Sequence, residues 1–516
     1  VGLSTQQPQI RWQAHLELAR LADQTEDDPE TALHHYEQTV VALSAIRKLI
    51  SQPMLLNHIL ADAELAVFEA LDFVSEKSAE KALSFLEMSK AHTLAVQLRQ
   101  QIFVSQRELP EEIQQVRHQL FELQQQLAQA SNRITRIRKH GNWLELIRQY
   151  DDVQAEYERS QQALPSDLSQ ATYFQLSRFR EEGMASWGDQ WLALDYFLYG
   201  EELIIVVVAP HGVWIERATV TTLPALLTLL DAPDMITAAH LHQLAQMLLP
   251  SSVLAHLQAE TVLVIAPYGR LHNLPWAALL VGGSPLVTQC QPLIIPALHL
   301  FNALDHTPTT LKNGLLTAVA EFPKRTYAHL PFTLTEADLL QQIAYTSSER
   351  VTWQAQTQNG ATWEALQAVR EEEEVWAQFD CWHVATHAFF SEQVNARACG
   401  LALYDQDIWL DDLARLAPFP ALVTLSACSG LPTKTFPGDD HVGVAATCLA
   451  AGSQNVVGSL WKMRDDLSQE IFVSFYQQMG RGSSPLTALT NIQRDMITAG
   501  QPFFEWGGLR ISGRGI

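Results

Sequence analysis

From about residue 171 onward, short β-rich runs recur, and several are apolar on both faces. They lie at 203–208, 262–265, 287–295, 315–319, 382–385, 422–425 and 456–460. A strand apolar on both faces has to be covered by helices on two sides. Helical stretches separate many of these runs, so the region reads as α/β with a largely parallel sheet. In such sheets the chemistry gathers at the carboxyl ends of strands. Three late runs lead into suggestive residues there. The run at 382–385 continues into Thr386, His387 and Ala388. The run at 422–425 continues into Ser426, Ala427, Cys428, Ser429 and Gly430, and the one at 456–460 into Trp461, then Asp465 and Asp466.

The region in front is different. Residues 1–108 read as helices, with small, apolar and aromatic residues at helical spacing in 32–38 and 81–87. Both stretches resemble the second half of tetratricopeptide repeats, which are helix–turn–helix units of about 34 residues. A generic helical domain is the competing reading. After Pro110, apolar residues step by threes and fours from Ile113 to Ile137, a heptad seam. Gly141 and Asn142 interrupt it, and a second helix follows. An antiparallel helical hairpin over 109–170 is expected, serving as a strut or docking arm.

The totals narrow the partners. The chain has 516 residues and 47% hydrophobic content, enough for more than one core and, by length, about three or four domains. Its 34 basic residues face 57 acidic ones, a net charge of -23. That argues against a direct nucleic-acid footprint, which needs a basic face, while leaving room for contact through a nucleic-acid-binding partner. Five cysteines, at 290, 381, 399, 428 and 448, match no zinc spacing, and so low and unpatterned a count suits a reducing compartment. The polar start shows no signal peptide, and its lack of an initiating Met reads as a fragment or a processed product. No apolar run is long enough to span a bilayer. A cytoplasmic location and no membrane contact are expected.

Peptide-bond cleavage needs a strong nucleophile, a proton donor for the leaving amine and donors for the oxyanion. A Cys thiolate supplies the first, a His the second, and backbone N–H groups at strand ends the third. His387 and Cys428 follow adjacent-looking strands, and Gly430 permits a tight turn beyond the nucleophile. Position and residue type alone leave a second reading standing: a buried small hydrophobe beside a hydrogen-bonded histidine.

Several motifs, in order, bear on that choice. Ala427-Cys428-x-Gly430 is similar to the core of the caspase signature Q-A-C-(R/Q/G)-G, with His387 lying 41 residues upstream. His383-Val384-Ala385-Thr386-His387 resembles the "H-F-A-T-H-G" segment of CHAT-domain proteins, caspase-like peptidases often found with tetratricopeptide repeats. The stretch 422–428 resembles their "L-V-x-L-S-A-C", and 267–276 resembles "P-D-G-x-L-H-x-L-P-F". Leu330-Pro331 with Glu336 fits an "L-P-x-x-x-x-E" element, and Gly438-Asp439-Asp440, Gly443, 450–452 and 456–461 follow the same family's order. The resemblance spans roughly 190–516.

The resemblance implies two caspase-type sheets in tandem: a degenerate half over 171–310 and an active half over 311–516. It carries His387 over as catalytic histidine and Cys428 as nucleophile, with the backbone N–H groups of Ala388 and Cys428 as the oxyanion hole. Ala388 stands where the family usually has Gly, so its φ has to suit a Cβ. His383 and His272 read as structural. Asp439, Asp465 and Asp466 are candidates for reading a basic residue before the scissile bond; capping of the next helix competes for the last two. The run Glu371–Glu374 is a solvated helix end. The implied protein is a regulated cysteine endopeptidase, needing no metal or cofactor. It would cut a partner protein in a bacterial signalling or defence pathway, with a regulatory protein or effector complex bound by the repeat-like helices. A non-catalytic scaffold, or a thiol hydrolase acting on small molecules, would use the same fold.

Overall fold

The computed structural model describes residues 8–24, 29–49, 63–90, 174–305, 307–309, 311–323, 325–343, 351–390, 399–428, 431–432, 434–436 and 439–516. The hairpin expected over 109–170 lies outside the described residues, as do Ser429, Gly430 and Gly438.

The described helices within residues 8–90 are α1 (Pro8–Gln24), α2 (Pro29–Leu49), α3 (Ala63–Ser75) and α4 (Ala79–Ser89). Trp12, Leu16 and Ala19 are buried on α1, and Ala32, Tyr36, Val40 and Leu43 on α2. These steps of three and four put one apolar stripe on each helix. α1 packs on α2 and α3 on α4, and α2 touches both of the latter. Ser78 caps α4, its hydroxyl accepting the Lys81 N–H at 3.3 Å. The repeat-like stretches at 32–38 and 81–87 fall within α2 and α4.

The strands are β1 (Trp191–Tyr199), β2 (Glu202–Ala209), β3 (Gly212–Thr219), β4 (Val262–Ala266), β5 (Leu280–Val281), β6 (Ser284–Pro285), β7 (Gln291–Ile294), β8 (Asn313–Ala318), β9 (Thr352–Thr357), β10 (Cys381–Phe390), β11 (Cys399–Ala402), β12 (Asp407–Trp409), β13 (Leu422–Cys428), β14 (Lys434–Phe436), β15 (Asp440–Val442), β16 (Asn455–Ser459) and β17 (Leu509–Gly513). Thirteen of them form one sheet among the described residues, in the order β12-β11-β10-β13-β16-β17-β7-β4-β1-β2-β3, with β8 and then β9 beside the first half of β10. Most of its pairings are parallel, and β4, β16 and β17 are buried along their whole length, as two-faced cover requires. Helices α5 (Pro331–Gln342) and α6 (Asp465–Gly480) pack on each other; α5 also lies over β8 and β10, and α6 over β13.

Three details differ from the sequence reading. The two expected sheets are one sheet, because β17 pairs with β16 on one side and with β7 on the other. Gly513 lets β17 close on β16: at its φ of +132°, a Cβ would fall 1.9 Å from the Gln454 carbonyl oxygen. The run at 287–295 is strand only over Gln291–Ile294, since Leu286–Thr288 winds into a 3-10 turn. β10 does not stop at Ala385. It runs to Phe390 because β11 gives residues 388–390 an antiparallel partner, so His387 lies within the strand.

Candidate active site

β10 and β13 pair in parallel through an unbroken ladder that starts at Cys381↔Leu422 and ends at His387↔Cys428. Neighbouring strands run about 4.8 Å apart, so these two residues stand side by side on the last rung. The His387 ring is 8% exposed. It stacks on Tyr327 at a centroid distance of 5.2 Å and 23°, and meets Phe322 at 5.2 Å and 47°. Its Nε2 is 2.8 Å from the Ala328 carbonyl oxygen. A carbonyl only accepts, so Nε2 carries the hydrogen, and Nδ1 is the nitrogen left to take and return a proton.

The clamp on this ring is itself held. The Arg325 guanidinium lies 5.3 Å from the Phe322 ring and 5.4 Å from the Tyr327 ring, and it donates to Asp407 and to the Leu403 carbonyl. Burial, and then the Asp407 carboxylate, push the Tyr327 phenol up to about 12, so the stacking ring stays neutral. Leu330 N–H donates to the Ala320 carbonyl at 3.0 Å, which fixes the far end of the segment carrying Ala328.

Below the last rung lies a buried polar chain. Glu336, on α5, accepts the Ser426 hydroxyl at 3.0 Å, and its Oε1 is 2.9 Å from His383 Nε2. His383 Nδ1 is 2.7 Å from the Thr424 hydroxyl, which is 2.6 Å from the Tyr476 hydroxyl on α6. His383 and Thr424 share a rung. The chain therefore ties together both strands of the pair and both covering helices. The Ser426–Glu336, His383–Thr424 and Thr424–Tyr476 hydrogen bonds carry this tie.

Ala388 pairs with Leu401 of β11. Among the described residues only Gln358 and Asp439 combine positive φ with a side chain, so Ala388 carries its Cβ without backbone strain. The three acids are placed differently from one another. Asp439 is buried, accepts the Gly269 N–H at 2.7 Å, and lies 3.2 Å from His272 Nε2. Asp465 accepts the Phe332 N–H at 2.7 Å and the Thr333 hydroxyl at 3.3 Å. It thus caps α5 from across the fold, rather than the helix it begins; Pro331 at the first position leaves the Phe332 N–H as an orphan donor. Asp466 is at the surface, paired to Arg464 at 3.0 Å, which lowers its carboxyl below the ordinary range. Glu371–Glu374 are exposed.

The Ala328 carbonyl and the aromatic clamp are not legible in the sequence. A backbone carbonyl has no side-chain signature. Phe322, Tyr327 and Arg325 form no spaced motif. Among the described residues, no group of three or more His, Cys, Asp or Glu side chains could hold a metal ion, and no helix is long and apolar enough to cross a membrane.

Comparison with known proteins adds the following. No curated protein matches the chain. Two crystal structures of the Saccharomyces cerevisiae separase–securin complex are similar over 98% of the chain. The one at 3.0 Å has 9% identity and a TM-score of 0.43; the one at 2.6 Å has 12% identity and a TM-score of 0.40. The chain spans 52% and 40% of the lengths of those matched chains. Residues 238–514, more than half of the sequence, match the family model of the CHAT domain. The chain belongs to the CHAT-domain family.

Proposed function

We propose that the protein is a cysteine endopeptidase that cuts a partner protein with Cys428 as nucleophile and His387 as general acid and base. The observation that carries this reading is the shared last rung of β10 and β13, together with the Nε2 bond to Ala328 that leaves His387 Nδ1 for proton transfer. The Cys428 thiolate attacks the scissile carbonyl carbon and a C–S bond forms. The oxyanion is received by the backbone N–H groups of Ala388 and Cys428. His387 gives its proton to the leaving amine as the C–N bond breaks. Water then attacks the acyl carbon as His387 accepts its proton; the C–S bond breaks, the acid product leaves, and His387 passes the proton to the Cys428 sulfur. No metal enters these steps.

The division into a degenerate half over 171–310 and an active half over 311–516 belongs to the same proposal. So does a tetratricopeptide-like role for α1–α4, receiving a regulatory protein or effector complex. Of the three acids, Asp466 is paired with a surface arginine and keeps a 43% exposed side chain, and a preference for a basic residue before the cut rests on it. The low, unpatterned cysteine count supports a cytoplasmic location, and the family resemblance supports a role in bacterial signalling or defence.

The test is cleavage of a diverse peptide library by the wild type and by Cys428→Ala, read by mass spectrometry. Cuts made by the wild type alone support the proposal and report the residue preference. Cuts made equally by both rule Cys428 out.

A further inference from the structure

Residues 266–272, the turn after β4, are gripped from two sides. The N-terminal helices hold one side. Lys90, just past α4, is 1% exposed, and its Nζ donates to the Ala266 carbonyl at 3.0 Å, the Pro267 carbonyl at 2.9 Å and Asp195 Oδ1 at 2.6 Å. The same ammonium lies 5.8 Å from the centre of the Tyr268 ring, whose hydroxyl is 3.3 Å from Glu64 Oε1 on α3. Glu87, one turn earlier on α4, accepts the N–H groups of Leu298 and His299 at 2.9 and 2.6 Å.

The chain that follows Cys428 holds the other side. Asp439 takes the Gly269 N–H at 2.7 Å and sits 3.2 Å from the His272 ring. The His272 carbonyl accepts from Arg510, whose other terminal nitrogen reaches the Leu431 carbonyl at 3.3 Å. Leu431 is three residues beyond Cys428 and is further tied by its N–H to the Ser459 carbonyl at 3.2 Å. The turn therefore holds the post-nucleophile chain at two points, Leu431 and Asp439.

These ties are expensive features. Lys90 and Asp195 are both fully buried as side chains, and such a pair is costly to desolvate. Arg510 is a buried guanidinium with carbonyl partners, and burial pushes its pKa down to about 10. Asp439 holds φ at +57°, a left-handed conformation that a residue with a Cβ keeps only where its surroundings impose it. A displacement of α4 pulls on Ala266 and Pro267, and a displacement of Gly269 or His272 pulls on Asp439 and, through Arg510, on Leu431.

We infer that the turn 266–272 couples the N-terminal helices to the nucleophile. It transmits the position of Lys90 to the chain carrying Leu431 and Asp439, with Asp439 as a positioning residue for Cys428. The catalytic consequence rests on the function proposed above; the mechanical coupling does not.

Amide hydrogen exchange in the full chain separates the two. The variants are Lys90→Met with Asp195→Leu, which removes both members of the buried pair and leaves Glu87 its His299 partner, then Asp439→Asn, and then all three changes together. Exchange over 431–442 should rise about tenfold in the first variant and in the second, with the combined variant no faster than the faster of these. Unchanged exchange there in the Lys90 variant, or effects that simply multiply, overturns the coupling. If the paired substitution does not fold, Tyr268→Phe removes the Glu64 contact with little change in packing, and the same window decides. Alkylation of Cys428, with Cys428→Ala as the blank, should slow in the same variants. A wild type whose Cys428 alkylates like an ordinary thiol refutes the catalytic reading, and the exchange result still decides the coupling.

Discussion

Two parallel strand pairs in this sheet invite comparison. β1 and β4 run in register from Trp191↔Val262 to a last rung of Asp195↔Ala266; β10 and β13 run to a last rung of His387↔Cys428. Each pair has a buried polar side-chain contact near its carboxyl end. In the first, Lys90 enters from the helical region and takes both members of the last rung, the Asp195 carboxylate and the Ala266 carbonyl. In the second, the Glu336–His383 contact lies below the last rung and leaves it untouched. One architecture thus serves two ends. Where the last rung carries an acid and a small residue it anchors a neighbouring element, and where it carries a histidine and a cysteine the buried side-chain contact lies beneath it, as the proposed chemistry requires.

The comparison can be broken in a definite order. The largest effect belongs to Cys428→Ala, which should cut turnover by about 10⁴-fold or more while the thermal transition stays in place; turnover at the wild-type rate would remove chemistry from the second rung. Next is His387→Ala, expected to slow acylation by about 10²–10⁴-fold in single-turnover measurements. An unchanged acylation rate would show that His387 is no more catalytic than Asp195.

Lys90→Met alone tests the first rung. It leaves the Asp195 carboxylate buried without its cation and should cost about 3–5 kcal/mol in denaturant unfolding, with most of the loss restored by adding Asp195→Leu. If the second change restores nothing, the rung is not an ionic anchor.

The smallest effect is one of pH. His15 and His35 place their Nδ1 atoms 3.0 Å apart between α1 and α2. Burial first, then the neighbouring charge of His35, lowers the pKa of His15 below its ordinary 6.5; burial and His34 lower that of His35. Both imidazoles resist protonation in the folded state. Above pH 6.5 neither state takes the proton and nothing changes. Below it, the unfolded chain binds protons that the folded one refuses, so α1 and α2 lose stability as pH falls. Amide exchange in these helices should accelerate between pH 7.5 and pH 5.5 beyond the intrinsic pH effect, and His15→Gln should diminish the difference. Equal protection at both pH values would dismiss the histidine contact as a source of it.

Much of the architecture could be read from the chain because two-faced apolar runs such as 262–265 and 456–460 have one stable environment. What could not be read depends on partners distant in sequence. The stretch 386–390 mixes Thr, His, Ala and Phe and becomes strand only because β11 pairs with it. β17 contains Arg510 and Ser512, and its place between β16 and β7 is a choice among partners that local pattern does not encode. At the site, His387 and Cys428 were legible as a histidine and a cysteine that follow apolar runs. The acids were legible only as acids. Asp439 and Asp465 invite a substrate-facing reading until nearby N–H groups are seen to take them. Lys90 gave no signal, because lysine is ordinarily a surface residue and its three acceptors lie more than a hundred positions away.

Whether Cys428 is an activated nucleophile is decided by the pH dependence of its alkylation in the native chain. The background is favourable: Cys290, Cys381, Cys399 and Cys448 are buried, and burial raises the thiol pKa of Cys290, Cys381 and Cys448. Site-resolved mass spectrometry should find Cys428 modified first, with a midpoint well below the ordinary thiol value of about 8.5, and His387→Ala should move that midpoint back up. A Cys428 that titrates at the ordinary value, unmoved by His387→Ala, would contradict the catalytic pair.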